Sequence, residues 1–210
     1  LKVGVVKDER DKNFYCDVII DETSKMNKLV KELLVLSQIE SGCFTLEKSI
    51  FNVSYLIRRI IAKFEPILSN RNIKVQFSEN SSEIQVYADM VRSEQVLVNY
   101  LNNAINHLDE RQILKIGLNQ IDNKIRISVF NSGKNIPEES LQKIFTSFYK
   151  VDKARTRAYG GTGLGLSVVR AIQELDNNDF GVRNLEGGVE FWFELDLAWS
   201  GNNNDTISTL

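Results

Sequence analysis

The chain has 210 residues, 42% of them hydrophobic, with 26 lysines and arginines against 28 aspartates and glutamates and a formal net charge of −2. That is enough apolar material for one ordinary core plus an appendage, and the even charge balance excludes a surface built as a whole for nucleic acid or anionic lipid. Two cysteines with no C-x-x-C pair and a single histidine argue against a disulfide framework or a zinc site. No apolar run nears the roughly 18 residues of a membrane span, so the chain reads as a soluble protein of a reducing compartment, and its start at Leu1 reads as a piece of something longer.

From Asn13 to Ser41, apolar residues recur every three or four positions (Ile19, Met26, Leu29, Val30, Leu33, Leu36, Ile39), which predicts one side of a long helix. Met26, Leu29, Leu33 and Leu36 keep a heptad-like seam suited to packing along another helix or a twin chain, and the alternative is a lone amphipathic helix lying on its own domain. Gly42 ends this helix, and Cys43 to Ser49 reads as a linker. Phe51 to Leu68 predicts a second amphipathic helix, and the alternation of Ile73, Val75 and Phe77, then of Ile84 and Val86, predicts two strands. Asp89 to His107 reads as a third helix with Val91, Val96, Leu97, Leu101, Ala104 and Ile105 facing inward. Ile113–Ile121 and Lys124–Phe130 read as strands joined by an Asp122-Asn123 turn. After Pro137 come a short helix, a basic loop and a glycine-led helix, then two strands turning at Gly187-Gly188 and a polar tail, 199–210. From residue 50 onward the pattern predicts an α/β fold: a two-layer sandwich with a mixed, largely antiparallel sheet, preceded by the long helix.

Three stretches carry chemistry. Gly160-Gly161-Thr162-Gly163-Leu164-Gly165-Leu166-Ser167 runs into an apolar helix, where glycine lets an anion approach and unpaired N–H groups face it. Glycine-rich turns also precede helices for steric reasons alone, and the spacing is neither that of a P-loop nor that of a Rossmann fingerprint. Asn99 and Asn103 share one helix face, and an amide oxygen can serve a hard cation such as Mg²⁺ that keeps most of its shell as water and phosphate; they also fit as ordinary polar residues beside Asn102 and Asn106. Asn131-Ser132-Gly133 ends a strand where an acceptor oxygen and a missing side chain can meet a base, or simply make a turn. Lys150, Lys153, Arg155 and Arg157, relieved by Asp152, load the intervening loop with positive charge, as a phosphate partner or as a solvated surface run.

In this order the stretches resemble the ATP-binding domain of bacterial sensor histidine kinases, over about residues 50–197, while 13–42 resembles the second helix of the dimerisation and histidine-phosphotransfer hairpin. The resemblance implies three regions: a partial hairpin over 1–45, an ATP-binding catalytic domain over 46–198, and a disordered tail over 199–210. It implies ATP and Mg²⁺ as ligands, with Asn103 on the metal, Asn99 a polar contact on the phosphate side, and His107 lining the nucleotide. Asn131 and Gly133 would hold adenine, Lys150, Arg155 and Arg157 would belong to a mobile lid, and Gly161, Gly163 and Gly165 would border the phosphates. Ile136, Phe145, Phe148, Thr162, Leu164 and Leu166 complete the implied nucleotide site.

Two positions depart from the family pattern. Asn131 stands where aspartate is more usual, and the family's phosphoacceptor motif, a histidine followed by an acidic residue on the first helix of the hairpin, is absent; His107, the single histidine, is followed by Leu108. The implied activity is therefore transfer of the γ-phosphoryl group to a histidine outside this chain. The implied partners are the hairpin of the same or a twin chain, in a homodimer when full length, and a response regulator receiver domain, with no nucleic acid. A full-length protein would work on the cytoplasmic side of a membrane. Hydrolytic relatives carry a glutamate base where this chain has Asn99, which makes hydrolysis the weaker alternative to transfer. A regulatory module that binds nucleotide without transferring it is the other alternative.

Overall fold

The computed structural model describes residues 8–78, 84–151 and 162–198. The charged loop residues Asp152, Lys153, Arg155 and Arg157, the glycines Gly160 and Gly161, and the tail 199–210 lie outside them. Helix α1 (Glu9–Glu40) starts at Asp8, whose carboxylate accepts from the Asp11 N–H at 2.8 Å. Its 32 residues give a rod about 48 Å long, and the chain leaves it through Gly42 at φ +68°. Strand β1 (Ser49–Asn52) follows, and Asn52 then caps α2 (Val53–Asn70) by accepting from the Tyr55 N–H at 2.8 Å. Next come β2 (Lys74–Ser78), β3 (Gln85–Ala88) and α3 (Met90–His107). Asp89 caps α3 through the N–H groups of Val91 and Arg92, and its second oxygen accepts from the Glu47 N–H at 3.0 Å. One carboxylate thus fixes both a helix start and the linker after α1. The rest is β4 (Ile113–Ile121), β5 (Lys124–Ser132), the single turn α4 (Glu138–Leu141), α5 (Gly165–Asp176), β6 (Phe180–Leu185) and β7 (Gly188–Asp196).

Five strands form one sheet in the order β2-β4-β5-β7-β6, in which only β2 and β4 run parallel. The other two, β1 and β3, pair antiparallel as a separate ribbon. This is the expected sandwich with a mixed, largely antiparallel sheet. The two strands read from Ile73 to Val86 do not pair with each other: β2 joins β4 and β3 joins β1. Burial alternates along β5, with Ile125, Ile127 and Val129 facing the helices, because successive strand side chains point to opposite faces. Helices α2, α3 and α5 cover that face. Tyr100 of α3 is fully buried with its ring centroid 5.3 Å from Phe191 and 5.9 Å from Phe193, and its hydroxyl donates to the Trp192 carbonyl at 3.2 Å. Burial raises its pKa well above the usual tyrosine value. The opposite face is polar, with the Arg126 guanidinium lying 3.9 Å over the Trp192 ring and paired to Glu194.

Two expected faces turn out differently. Val91, expected to face inward, is 68% exposed, because the Asp89 cap sets the first turn of α3 beyond the edge of the core. On α1 the heptad seam splits. Leu36 is buried and Leu29 half-buried against the core, whereas Met26 and Leu33 are exposed. The stripe that docks on the domain is Leu29, Glu32, Val35, Leu36 and Ile39, a helix face with a carboxylate at its centre.

Candidate functional site

Asn99, Asn103 and His107 follow one another at i, i+4 and i+8 on α3 and so form a stripe. At one end the buried Asn99 donates from Nδ2 to the Gly165 carbonyl at 3.0 Å, and a Cβ on Gly165 would come within 3.3 Å of Asn99 Oδ1. At the other end the His107 carbonyl lies where a Cβ on Gly133 would approach to 2.6 Å. The stripe therefore runs from the start of α5 to the end of β5, about 12 Å for eight residues of helix. Asn103 stands midway, half-buried, and its side chain makes no hydrogen bond among the described residues.

The end of β5 is held from several sides. Asn131 is buried and donates from Nδ2 to the Ser132 carbonyl at 3.3 Å, which leaves its Oδ1 acceptor outside that bond. The Ser132 hydroxyl accepts from the Ile113 N–H and donates to Asp109 at 2.7 Å. Hydrogen bonding from Arg111, and then from Ser132, lowers the Asp109 pKa to about 2. Arg111 and the Gly133 N–H both donate to the Gly187 carbonyl in the β6–β7 turn.

Asn184, which the sequence reading passed over, clamps the next segment. It accepts from the Ile136 N–H at 2.9 Å and donates to the Ile136 carbonyl at 2.7 Å, taking the place of a paired strand. Nothing in the composition of β6 marks this residue, since its role depends on a contact 48 positions away. Asn184→Ala is expected to cost about 1–2 kcal/mol for two lost hydrogen bonds. Thermal unfolding checks it, and an unchanged midpoint would refute the clamp.

At the glycine loop, the Phe148 N–H donates to the Gly163 carbonyl at 2.8 Å and joins the two ends of the intervening loop. Both residues have positive φ, and a Cβ on Gly163 would stand 3.1 Å from the Phe148 Cα and from the Lys150 Cε. The Thr162 hydroxyl accepts from the Leu164 N–H at 3.2 Å and donates to Glu32 of α1 at 2.7 Å. Among the described residues no side chain caps the start of helix α5, so its first N–H groups point out of the helix without such a partner there. Leu164 is fully buried and Leu166 packs half-buried against the core, so both support the loop from beneath.

Phe145 belongs with the core. It is buried, with its ring edge-on to Phe180 at 5.0 Å and to Phe191 at 6.5 Å, because the aromatic side chains of β6 and β7 give it an apolar seat under α4. Phe148, by contrast, is exposed at the base of the loop. Arg155, Arg157 and Gly161 lie outside the described residues. The stripe brings together Asn99, Asn103, His107, Asn131, Gly133 and Gly165, with Thr162, Gly163 and Lys150 at the loop. Chemically this is a band of neutral amides and backbone donors with no carboxylate at position 99 to take a proton from water.

Comparison with known proteins bears on this arrangement. Residues 88–198 match the family described as histidine kinase-, DNA gyrase B-, and HSP90-like ATPase. The chain is 32% identical over 189 residues to the sensor protein kinase WalK of Staphylococcus aureus strain MRSA252, covering 89% of this chain and 31% of that protein. It is 32% identical to the sensor histidine kinase WalK of Bacillus subtilis strain 168, covering 83% of this chain and 29% of that one. The chain thus spans less than a third of the length of these relatives. Among solved structures, the catalytic domain of histidine kinase ThkA superposes with a TM-score of 0.65 at 37% identity, over 72% of this chain and 96% of that one. ThkA in complex with the response regulator TrrA superposes with a TM-score of 0.74 at 33% identity, over 92% of this chain and 53% of that one. The glycine loop and the asparagines of α3 and β5 fall inside the matched region, and the chain belongs to the histidine kinase-, DNA gyrase B- and HSP90-like ATPase family, as an ATP-binding domain of the sensor histidine kinase type.

Proposed function

We propose that this chain binds ATP with Mg²⁺ along the α3 stripe and presents the γ-phosphoryl group to a histidine outside this chain, within a two-component kinase that signals to a response regulator. The observation that carries the reading is the stripe itself: one helix face bounded by a glycine at the start of α5 and by another at the end of β5. Its length of about 12 Å suits an extended nucleotide laid along it. Residues 46–198 would be the catalytic unit and 1–45 part of the phosphotransfer hairpin.

Asn131 would accept from the exocyclic amine of adenine, with Gly133 leaving room for the ring. The uncapped N–H groups of α5 would receive phosphate oxygens, and Lys150 would add positive charge at the loop base. Among the described residues no group of three or more His, Cys, Asp or Glu gathers as a metal site, so a cation would depend on ligand oxygens. The half-buried Asn103 amide is a neutral, hard oxygen donor and fits Mg²⁺ in that setting. When bound, Mg²⁺ neutralises charge on the transferring phosphoryl group. The chain's own part is positioning: Asn99 fixes the start of α5, and Asn184 and Gly187 fix the segment after β5.

On α1 the exposed Phe14, Val18, Ile19, Met26, Val30 and Leu34 suit packing against another hairpin helix or a twin chain in a homodimer. No described helix is long and apolar enough to cross a membrane; we place the domain on the cytoplasmic side of a membrane-bound kinase. That ThkA was solved with a response regulator supports a receiver domain as the next partner.

Mixing the chain with labelled ATP and a separate histidine-bearing hairpin tests the reading. Phosphohistidine on the hairpin is the expected result. Free phosphate alone would make the protein a hydrolase, and neither product would leave a nucleotide-binding module.

A further inference from the structure

One contact joins α1 to the loop that the proposed function assigns to phosphates. Glu32 lies at the centre of the docking stripe, 5% exposed, and its Oε2 accepts from the Thr162 hydroxyl at 2.7 Å. Among the described residues, Lys28 one turn back on α1 pairs with the other carboxylate oxygen at 3.9 Å, beyond hydrogen-bond range. Thr162 in turn accepts from the Leu164 N–H, so the carboxylate stands two hydrogen bonds from the first turn of α5. Among the described residues, one hydroxyl is the hydrogen-bond partner of this carboxylate on an otherwise apolar helix face. It sits where a triphosphate would bring further negative charge.

We infer that α1, through Glu32, and a nucleoside triphosphate compete for the glycine loop. The docked helix favours an empty site, and the loaded site favours a released helix. The inference rests on the proposed nucleotide site and adds a regulatory role for α1. The coupling is reciprocal: whatever Glu32 takes from nucleotide affinity, bound nucleotide takes from α1 docking. The flanking Leu29, Val35, Leu36 and Ile39 supply the attraction that holds the helix down when the site is empty. Glu32 supplies the sensitivity to the ligand's charge.

The test uses the whole chain and a non-hydrolysable ATP analogue with Mg²⁺, followed by calorimetry and by hydrogen exchange of the α1 amides. Glu32→Gln keeps the side chain's shape and removes its charge, and Glu32→Ala removes both. Glu40→Gln, at an exposed position on the same helix, makes the same charge change away from the loop. Both Glu32 variants are expected to bind the analogue about fivefold tighter or more, the lower range of measured couplings, while Glu40→Gln binds as the wild type does. In the wild type, analogue should speed exchange at residues 29–39. Equal affinity in all four proteins, with α1 exchange unchanged by bound analogue, would overturn the competition and leave the nucleotide site standing. Equal tightening in Glu40→Gln would overturn it too, since total charge would then be the cause. Failure of every variant to bind analogue at millimolar concentration would remove the nucleotide site, and the competition with it.

Discussion

Replacing Asn103 by alanine removes the Mg²⁺ dependence of ATP-analogue binding and weakens that binding at least about tenfold, the loss of one hydrogen bond to a charged group. The expectation follows from position. Asn103 is the middle member of the stripe, one turn from Asn99 at Gly165 and one turn from His107 at Gly133, and its amide is engaged by no described neighbour. Its removal costs the fold little, because the side chain is half-buried and alanine is the better helix former. Asn102 is the control: it is half-buried on the same helix, about 100° round the axis from Asn103, and alanine there should leave the titration unchanged. Calorimetry with and without Mg²⁺ on the two variants and the wild type decides the matter. If Asn103→Ala binds as the wild type does, with its metal dependence intact, the cation is held elsewhere and the stripe is a packing feature. If Asn102→Ala and Asn103→Ala weaken binding alike, the helix is being loosened and no single amide is the ligand.

What the residues disclosed, and what they hid, follows from the range of the interactions. Local patterns were legible. The alternation of Ile125, Ile127 and Val129 placed a half-buried strand, and Asp122 at φ +53° and Gly187 at φ +76° make the turns read between β4 and β5 and between β6 and β7. The order of asparagines and glycines pointed to one site because each lies at an element end whose chemistry can be read within a few residues. Pairing was not legible: alternation identifies β2 and β3 as strands but carries no information about their partners, and the chain sends them to different sheets. Ser49 reads with the linker and Phe51 and Asn52 with the following helix, since a strand as short as β1 has too few alternations to count. Glu32, Asn184 and Phe145 share another cause. Each takes its role from a partner far along the chain, Thr162, Ile136 and Phe180 respectively, and a helix face or strand composition does not announce such a contact.

Gly188→Ala is expected to destabilise the fold by about 3 kcal/mol, the upper part of the range for overpacking a tight interior. The added Cβ would stand 2.2 Å from the Asn131 carbonyl oxygen and 2.6 Å from the ring of Phe130. A ring can swing aside, but the carbonyl belongs to the backbone of β5, whose Ser132 pairs with Gly188 in the ladder. Either strand must shift to admit the methyl group: a shift of β5 carries Asn131 with it, and a shift of β7 withdraws the strand that pairs with it. At roughly 2–4 °C per kcal/mol for a chain of this size, the unfolding midpoint should fall by about 10 °C. Gly42→Ala separates this steric effect from backbone strain. Gly42 has φ +68° with nothing within 4 Å of the added methyl, so alanine there should cost about 1 kcal/mol, the penalty of the left-handed conformation alone. Thermal unfolding of both variants by circular dichroism gives the comparison. A Gly188→Ala midpoint no lower than that of Gly42→Ala would mean that β5 and β7 yield easily at this crossing. In that case the end of β5 would not be a rigid seat, and the placement of Asn131 and Gly133 beside α3 would owe more to Asn184 and the Asp109–Arg111 pair than to the sheet.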